Sequence, residues 1–137
     1  MNDDPISAFL AAIETATVDE ADVFTDDAVL DATVPNWRMR VEGSDAIRAE
    51  YAKWFDHPAS FIALERIPTP DGEVVLYEHE WRDGGIRHRG HHAHVIVVVD
   101  GKIASDTVWC GGKWPESLLQ SMALAAEPDE ALSRDHS

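Results

Sequence analysis

Apolar residues recur at Ile6, Phe9, Leu10 and Ile13, the three-and-four spacing of one helical face. Asp4 is a good N-cap and Pro5 suits the first helical position, so a helix is predicted from Pro5 to about Ala16. Thr17 can cap a short second helix, about Val18 to Phe24. A strand is expected over Ala28 to Val34, ended by Pro35-Asn36, then a short extended piece over Trp37–Val41. Ser44 caps a third helix, about Asp45 to Asp56, whose stripe is Ile47, Tyr51, Trp54 and Phe55; Pro58 stops it. The second half alternates with a period of two and predicts strands over Phe61–Ile67, Val74–Arg82, Arg87–Val99 and Lys102–Cys110. Asp83-Gly84-Gly85 and Asp100-Gly101 are hairpin signals. Gly111-Gly112 breaks the last strand, and Trp114-Pro115 opens a short final helix. Helices followed by an antiparallel meander make an α+β domain.

The Gly84-Gly85 turn sets a register. With two loop residues, Asp83 pairs with Ile86, Trp81 with His88, His79 with Gly90, Tyr77 with His92 and Val75 with His94. One face then carries Val75, Tyr77, His79, Trp81, His88, His92, His94 and Ile96. The other carries Glu78, Glu80, Arg82, Arg87, Arg89 and His91, with Glu80 opposite Arg89. Charged side chains stay out of cores unless paired, so the aromatic and histidine face looks toward the helices. A plain packing core would be aliphatic there. Farther along, the outer face becomes apolar with Val74, Leu76, Val95, Val97 and Val99, which points to a dimer contact. A two-residue Asp100-Gly101 turn would put Asp106 on the outer face. A three-residue turn with Gly101 left-handed would pair His94 with Asp106 and turn both inward.

Composition narrows the function classes. The chain has 137 residues, 26 acids against 11 Lys and Arg, and a formal charge of −15. Such a surface repels phosphate backbones and anionic lipid, which argues against nucleic acid and membrane partners. The longest apolar run, Val95–Val99, is far short of the ~18 residues of a membrane span. Cys110 is the single cysteine, so an internal disulfide is impossible, which fits a reducing compartment. The acidic start Met1-Asn2-Asp3-Asp4-Pro5 is unlike a signal peptide, so a cytoplasmic location is expected. One domain over residues 1–127 is expected, followed by a disordered acidic tail over 128–137.

The run Phe24-Thr25-Asp26-Asp27-Ala28-Val29-Leu30, the helix Gly43-Ser44-Asp45-Ala46-Ile47-Arg48-Ala49-Glu50-Tyr51 and the late strand His94–Ile103 resemble the nuclear transport factor 2-like superfamily, in its SnoaL-like and ketosteroid isomerase-like branch. The resemblance covers about residues 5–115. It implies a cone: three N-terminal helices packed on a strongly bent, mostly antiparallel sheet, with a pocket between them and frequent dimers. It implies isomerases, dehydratases, cyclases and epoxide hydrolases, mostly cofactor-free, alongside members that only bind. In the isomerases a strand carboxylic acid, paired with a helix-one tyrosine, stabilises the enolate. His94 falls at the acid's position, Ala32 at that of the general base, and Phe9 nearest the tyrosine, so that chemistry is not expected in its known form. Tyr51 matches a helix tyrosine that lines the pocket. The same alignment turns Asp106, Val108 and Cys110 inward.

From these residues an acid–base enzyme on a small hydrophobic molecule is expected, with no organic cofactor. His94 would be the general acid or base and Asp106 its orienter, since a carboxylate on one imidazole nitrogen leaves the other for substrate. His79, His92 and Tyr77 would add hydrogen bonds. Trp81, Trp54, Tyr51, Leu30, Val108 and Cys110 would line the pocket. Cys110 is read as a small hydrophobe, because no adjacent base is evident. Two further readings stand beside this one: a ligand-binding or structural dimer without turnover, and a metal site on His79, His92 and His94.

Overall fold

The computed structural model describes residues 4–126; the expected tail over 128–137 lies outside them. Helix α1 spans Pro5–Thr15, and the Asp4 carboxylate accepts from the Ile6 amide as the capping rule anticipates. Ala16 takes a left-handed conformation that ends the helix. The expected second helix is only a 3-10 turn, Val18–Glu20. Strand β1 runs Phe24–Val34 and begins where Phe24 joins the core beside Ile103. Burial of that ring in the sheet overrides the weak helical tendency of the preceding acidic stretch. Strand β2, Trp37–Glu42, follows a turn in which Asn36 adopts a φ of 64°. Helix α2 spans Ser44–Trp54 with Gly43 at its N-cap, so Ser44 lies inside the first turn rather than capping it.

Strands β3 (Ser60–Thr69), β4 (Gly72–Asp83), β5 (Ile86–Val99) and β6 (Lys102–Pro115) form the meander. Helix α3, Glu116–Ala126, closes the described chain and buries none of its residues. The six strands are ordered β2-β1-β6-β5-β4-β3. All neighbours are antiparallel except β1 and β6, which run parallel. Pro68 is accommodated because β3 is an edge strand. The architecture is α+β, a curled sheet with three helices, but only two of them precede the meander. The core joins Ile6, Phe9 and Ile13 of α1 to Ile47 and Tyr51 of α2 and to Leu30, Val75, Ile96 and Val108 of the sheet. Full burial of a side chain such as Phe9 contributes about 1.5–3 kcal/mol.

The β4–β5 register is as expected at every predicted pair, with Gly84 and Gly85 both at positive φ. The β5–β6 hairpin adopts neither anticipated arrangement. Its turn has two residues, Asp100 (φ 52°) and Gly101 (φ 80°), with Val99 opposite Lys102. The extra residue comes later. Val98 pairs with Ile103 and Val97 with Ser105, leaving Ala104 bulged out of register. The bulge reverses the facing of the strand beyond it, so Asp106 is inward and opposite Ile96, while His94 is opposite Val108. Gly111-Gly112 does not break β6. It forms a second bulge between the pairs Gly90–Lys113 and His92–Cys110, with Gly112 at a φ of 110°, and the strand continues to Pro115.

Candidate functional site

The inward face of β4, β5 and β6 carries a continuous chain of polar side chains beneath a cavity. Tyr51 from α2 donates to Asp106 Oδ2. Asp106 Oδ1 lies 2.9 Å from His94 Nδ1. His94 Nε2 is 2.9 Å from the Tyr77 hydroxyl, which is 2.8 Å from His92 Nδ1. His92 Nε2 is 3.1 Å from Cys110 Sγ, and the Gly112 amide reaches the same sulfur at 3.4 Å. Such partners allow five polar groups to sit in a core without a large desolvation penalty.

A carboxylate only accepts, so Tyr51 and His94 Nδ1 both donate to Asp106. His94 Nε2, the Tyr77 hydroxyl and His92 continue the chain from there to Cys110. Burial pushes both tyrosine hydroxyls well above their ordinary range, and the Asp106 charge adds to it, so they remain protonated. Burial holds His92 well below its usual value, as do the neighbouring histidines, so its imidazole is neutral. Burial also raises the Cys110 thiol, against the Gly112 amide and the Lys113 charge.

Above this layer lies a cavity of about 290 Å³, near the lower end of the ~300–1,000 Å³ usual for small-molecule sites. Trp54 and Trp81 form flat walls, His79, His92 and Cys110 the polar part, and Lys113 the charged one. His79 Nδ1 donates to the Gly90 carbonyl at 3.2 Å, and burial lowers its pKa to about 4. The Nδ1 proton is thereby assigned, and Nε2 is an unprotonated acceptor that makes no hydrogen bond among the described residues. Gly90 makes this possible: a Cβ there would stand 2.2 Å from His79 Cε1.

Of the residues expected to carry chemistry, His79 and His92 line the cavity; His94, Asp106 and Tyr77 lie beneath it. Of the expected wall, Trp81, Trp54 and Cys110 face the cavity. Tyr51, Leu30 and Val108 are in the core below, and Tyr51 is a hydrogen-bonding member of the chain rather than a wall. Cys110 does have an adjacent imidazole, that of His92, its partner across the strands. Val34, Pro35, Gly112 and Lys113 were not anticipated. They arrive through the β1–β6 ladder and the second bulge, neither of which leaves a local signal. Among the described residues no three His, Cys, Asp or Glu side chains are placed to hold a metal ion. His79, His92 and His94 are neighbours, but His92 and His94 use both nitrogens within the chain and do not converge on one point.

A curled sheet packed against helices, with a cavity lined by side chains of β4, β5 and β6, is the fold of the nuclear transport factor 2-like kind. The chain belongs to the SnoaL-like domain family, whose model matches residues 6–105. Solved structures share the fold. An NTF2-like protein from Anabaena variabilis aligns with a TM-score of 0.65 at 14% identity, covering 79% of this chain and 84% of that one. A provisionally named isomerase from Bacillus subtilis aligns at 0.64 and 18% identity, covering 78% and 84%. The epoxide hydrolase/cyclase-like enzyme SalBIII, of pyran ring formation in salinomycin, aligns at 0.59 and 18% identity, covering 78% and 88%. No curated protein matches the sequence. No described helix is long and apolar enough to cross a membrane.

Proposed function

We propose that this chain is an acid–base enzyme acting on a small hydrophobic molecule, of the isomerase, dehydratase, cyclase or epoxide hydrolase type, without an organic cofactor. One observation carries the reading. His79 lines an apolar cavity as a neutral imidazole whose Nδ1 proton is tied to Gly90, leaving the Nε2 lone pair to take a proton from substrate. Trp81 stacks on that ring at 4.8 Å and Trp54 faces His92 at 5.8 Å, which shapes the space for a flat ligand. His94 and Asp106 act at one remove, orienting His92 through Tyr77. We further propose that the protein is a cytoplasmic homodimer. The exposed Val95 and Trp109 on the outer sheet face support the dimer, and the unpaired thiol of Cys110 supports the location.

A second reading has its own support. Both nitrogens of His94 are engaged within the protein, as they would be in a pocket that binds without turnover. The two part on one experiment. Small cyclic ketones, β-hydroxy ketones and epoxides are incubated with the protein in deuterium oxide and followed by NMR. The enzyme reading expects deuterium at the carbon next to the carbonyl, elimination or ring opening, with kcat/KM reduced at least roughly tenfold in His79→Phe. Saturable binding with no exchange or conversion of any compound establishes the binding reading instead.

A further inference from the structure

We infer that the cavity takes a flat hydrophobic carboxylate, with Lys113 as its counter-ion. The inference rests on the proposed small-molecule site and adds the charge of its ligand. It does not require turnover there.

The bulge at Gly111-Gly112 decides where Lys113 points. Beyond the pair His92–Cys110, an unbroken register would set Lys113 opposite Arg89, on the outer face with Glu80. The extra residue, with Gly112 at a φ of 110°, sets Lys113 opposite Gly90 instead, and so on the inner face. Gly90 is in turn opposite His79. One row across three strands therefore reads His79, Gly90, Lys113, and all three line the cavity. Adjacent strands stand about 4.8 Å apart, so the backbones at the two ends of the row are separated by about 10 Å. Gly90 has no side chain to fill the space between them.

The ammonium has no partner among the described residues. Every other described Lys or Arg forms an ion pair with a carboxylate, except Arg82, which donates to the Gly85 carbonyl. Carboxylates are in excess, with 26 acids against 11 Lys and Arg, so the lack of a partner is not a shortage of anions. Glu50, which accepts from Trp54 at the cavity wall, is taken by Lys53 at 3.8 Å. The one described cation with neither an ion pair nor a hydrogen bond is thus the one in the wall of the cavity.

Its charge reaches the polar part of that wall. Burial is the main cause that keeps His79 and His92 neutral, and Lys113 adds to it at both. At Cys110 burial raises the thiol, and the Gly112 amide and Lys113 oppose that rise. A carboxylate placed in the cavity meets the same charge as attraction. The protein as a whole, at −15, repels anions at long range, so only a ligand seated beside Lys113 gains.

The rest of the wall orients the ligand. His79 Nε2 offers a lone pair, which repels a carboxylate and leaves that end of the row to carbon. Trp81 stacks on the same imidazole at 4.8 Å, and Trp54 stands 5.8 Å from His92, so the hydrocarbon part lies between flat surfaces. An uncharged ligand of the same shape leaves the ammonium unpaired, and a cationic one is repelled by it.

The test compares 2-naphthoate with 2-naphthamide, a carboxylate and an uncharged compound of one shape. Both are titrated calorimetrically into the full chain at about pH 7.5, where the acid is ionised. Naphthoate is expected to bind roughly fivefold more tightly, the size of a partly exposed ion pair. Lys113→Met keeps the length of the side chain and removes its charge, and is expected to abolish the difference. Lys113→Arg is expected to keep it. Lys113 is exposed, so neither variant disturbs the core. Amide bound as tightly as naphthoate, no binding of either compound, or a naphthoate preference that survives Lys113→Met overturns the inference. Turnover is read separately. Deuterium exchange into uncharged ketones without a naphthoate preference leaves the proposed enzyme standing and removes the carboxylate. A naphthoate preference that depends on Lys113, with no exchange or conversion of any compound, does the reverse.

Discussion

Asp106 is bonded to His94 without being its partner across the strands. The carboxylate sits opposite Ile96 and the imidazole opposite Val108, yet their polar atoms meet at 2.9 Å. The contact is diagonal, between residues two places apart on facing strands, and the Ala104 bulge puts both on the inner side. Tyr51 reaches the second carboxylate oxygen from α2. The sheet and the helix layer are thus joined by one buried acceptor.

That makes Asp106→Asn informative. An amide keeps the shape but turns one acceptor into a donor, which must face either the Tyr51 hydroxyl or the His94 Nδ1 proton. One buried donor loses its partner, at a cost of about 1–3 kcal/mol. Urea unfolding is expected to show a lower midpoint with an unchanged slope. An unchanged midpoint would show that Asp106 accepts from only one of the two.

Gly90 and His79 share one volume. Gly90→Ala places a methyl 2.2 Å from the imidazole, so the ring must leave and its bond to the Gly90 carbonyl with it. The expected loss is about 1–3 kcal/mol of stability together with most of the activity attributed to His79. Thermal unfolding and the deuterium-exchange rate read the two effects. Activity retained at full level would remove His79 from its proposed role.

Stability is expected to fall with acid in a defined window. His79 has an ordinary value of 6.5 and is held at about 4 by burial. His92 moves in the same direction. Between about pH 6.5 and 4 the unfolded chain binds protons that the folded one refuses, so stability decreases as pH falls. His79 alone accounts for about 3 kcal/mol across that range. Urea midpoints at stepped pH measure it, and a flat profile from neutrality to pH 4 would contradict neutral buried histidines.

The outer sheet face leads to a different measurement. Trp109 and Val95 are 48% and 38% exposed there, which is unusual for large apolar side chains on a free surface. Sedimentation of the natural chain is expected to give a dimer, and the double variant Val95→Lys with Trp109→Lys a monomer. A natural chain that sediments as a monomer at tens of micromolar would remove the dimer proposal.

Much of this molecule is legible along the chain, for local reasons. The α1 boundaries come from Asp4 and Pro5, which satisfy and pre-shape the first turn. The whole β4–β5 register comes from Gly84-Gly85, since a two-residue turn and a period of two leave no other pairing. That register puts His79 beside Gly90 and gathers four histidines with Tyr77 on one face. The α+β class is given by the order of the elements.

Local pattern thus settles which residues share a face, because alternation and tight turns act over a few neighbours. Long-range packing alone settles which of those residues meets the cavity and which lies under it. The bulges at Ala104 and at Gly111-Gly112 are fixed by what the strand gains farther along. They turn Asp106 toward Tyr51 and His94, and carry the last strand on to Lys113 at the cavity wall. The parallel β1–β6 pairing brings Pro35 to Gly112 from about 77 residues away along the chain, a closure no local pattern encodes. By its face alone, His94 is the residue best placed to meet a substrate. Packing of α1 and α2 over it, with Phe9 and Tyr51 against its ring, assigns that place to His79 and His92 instead.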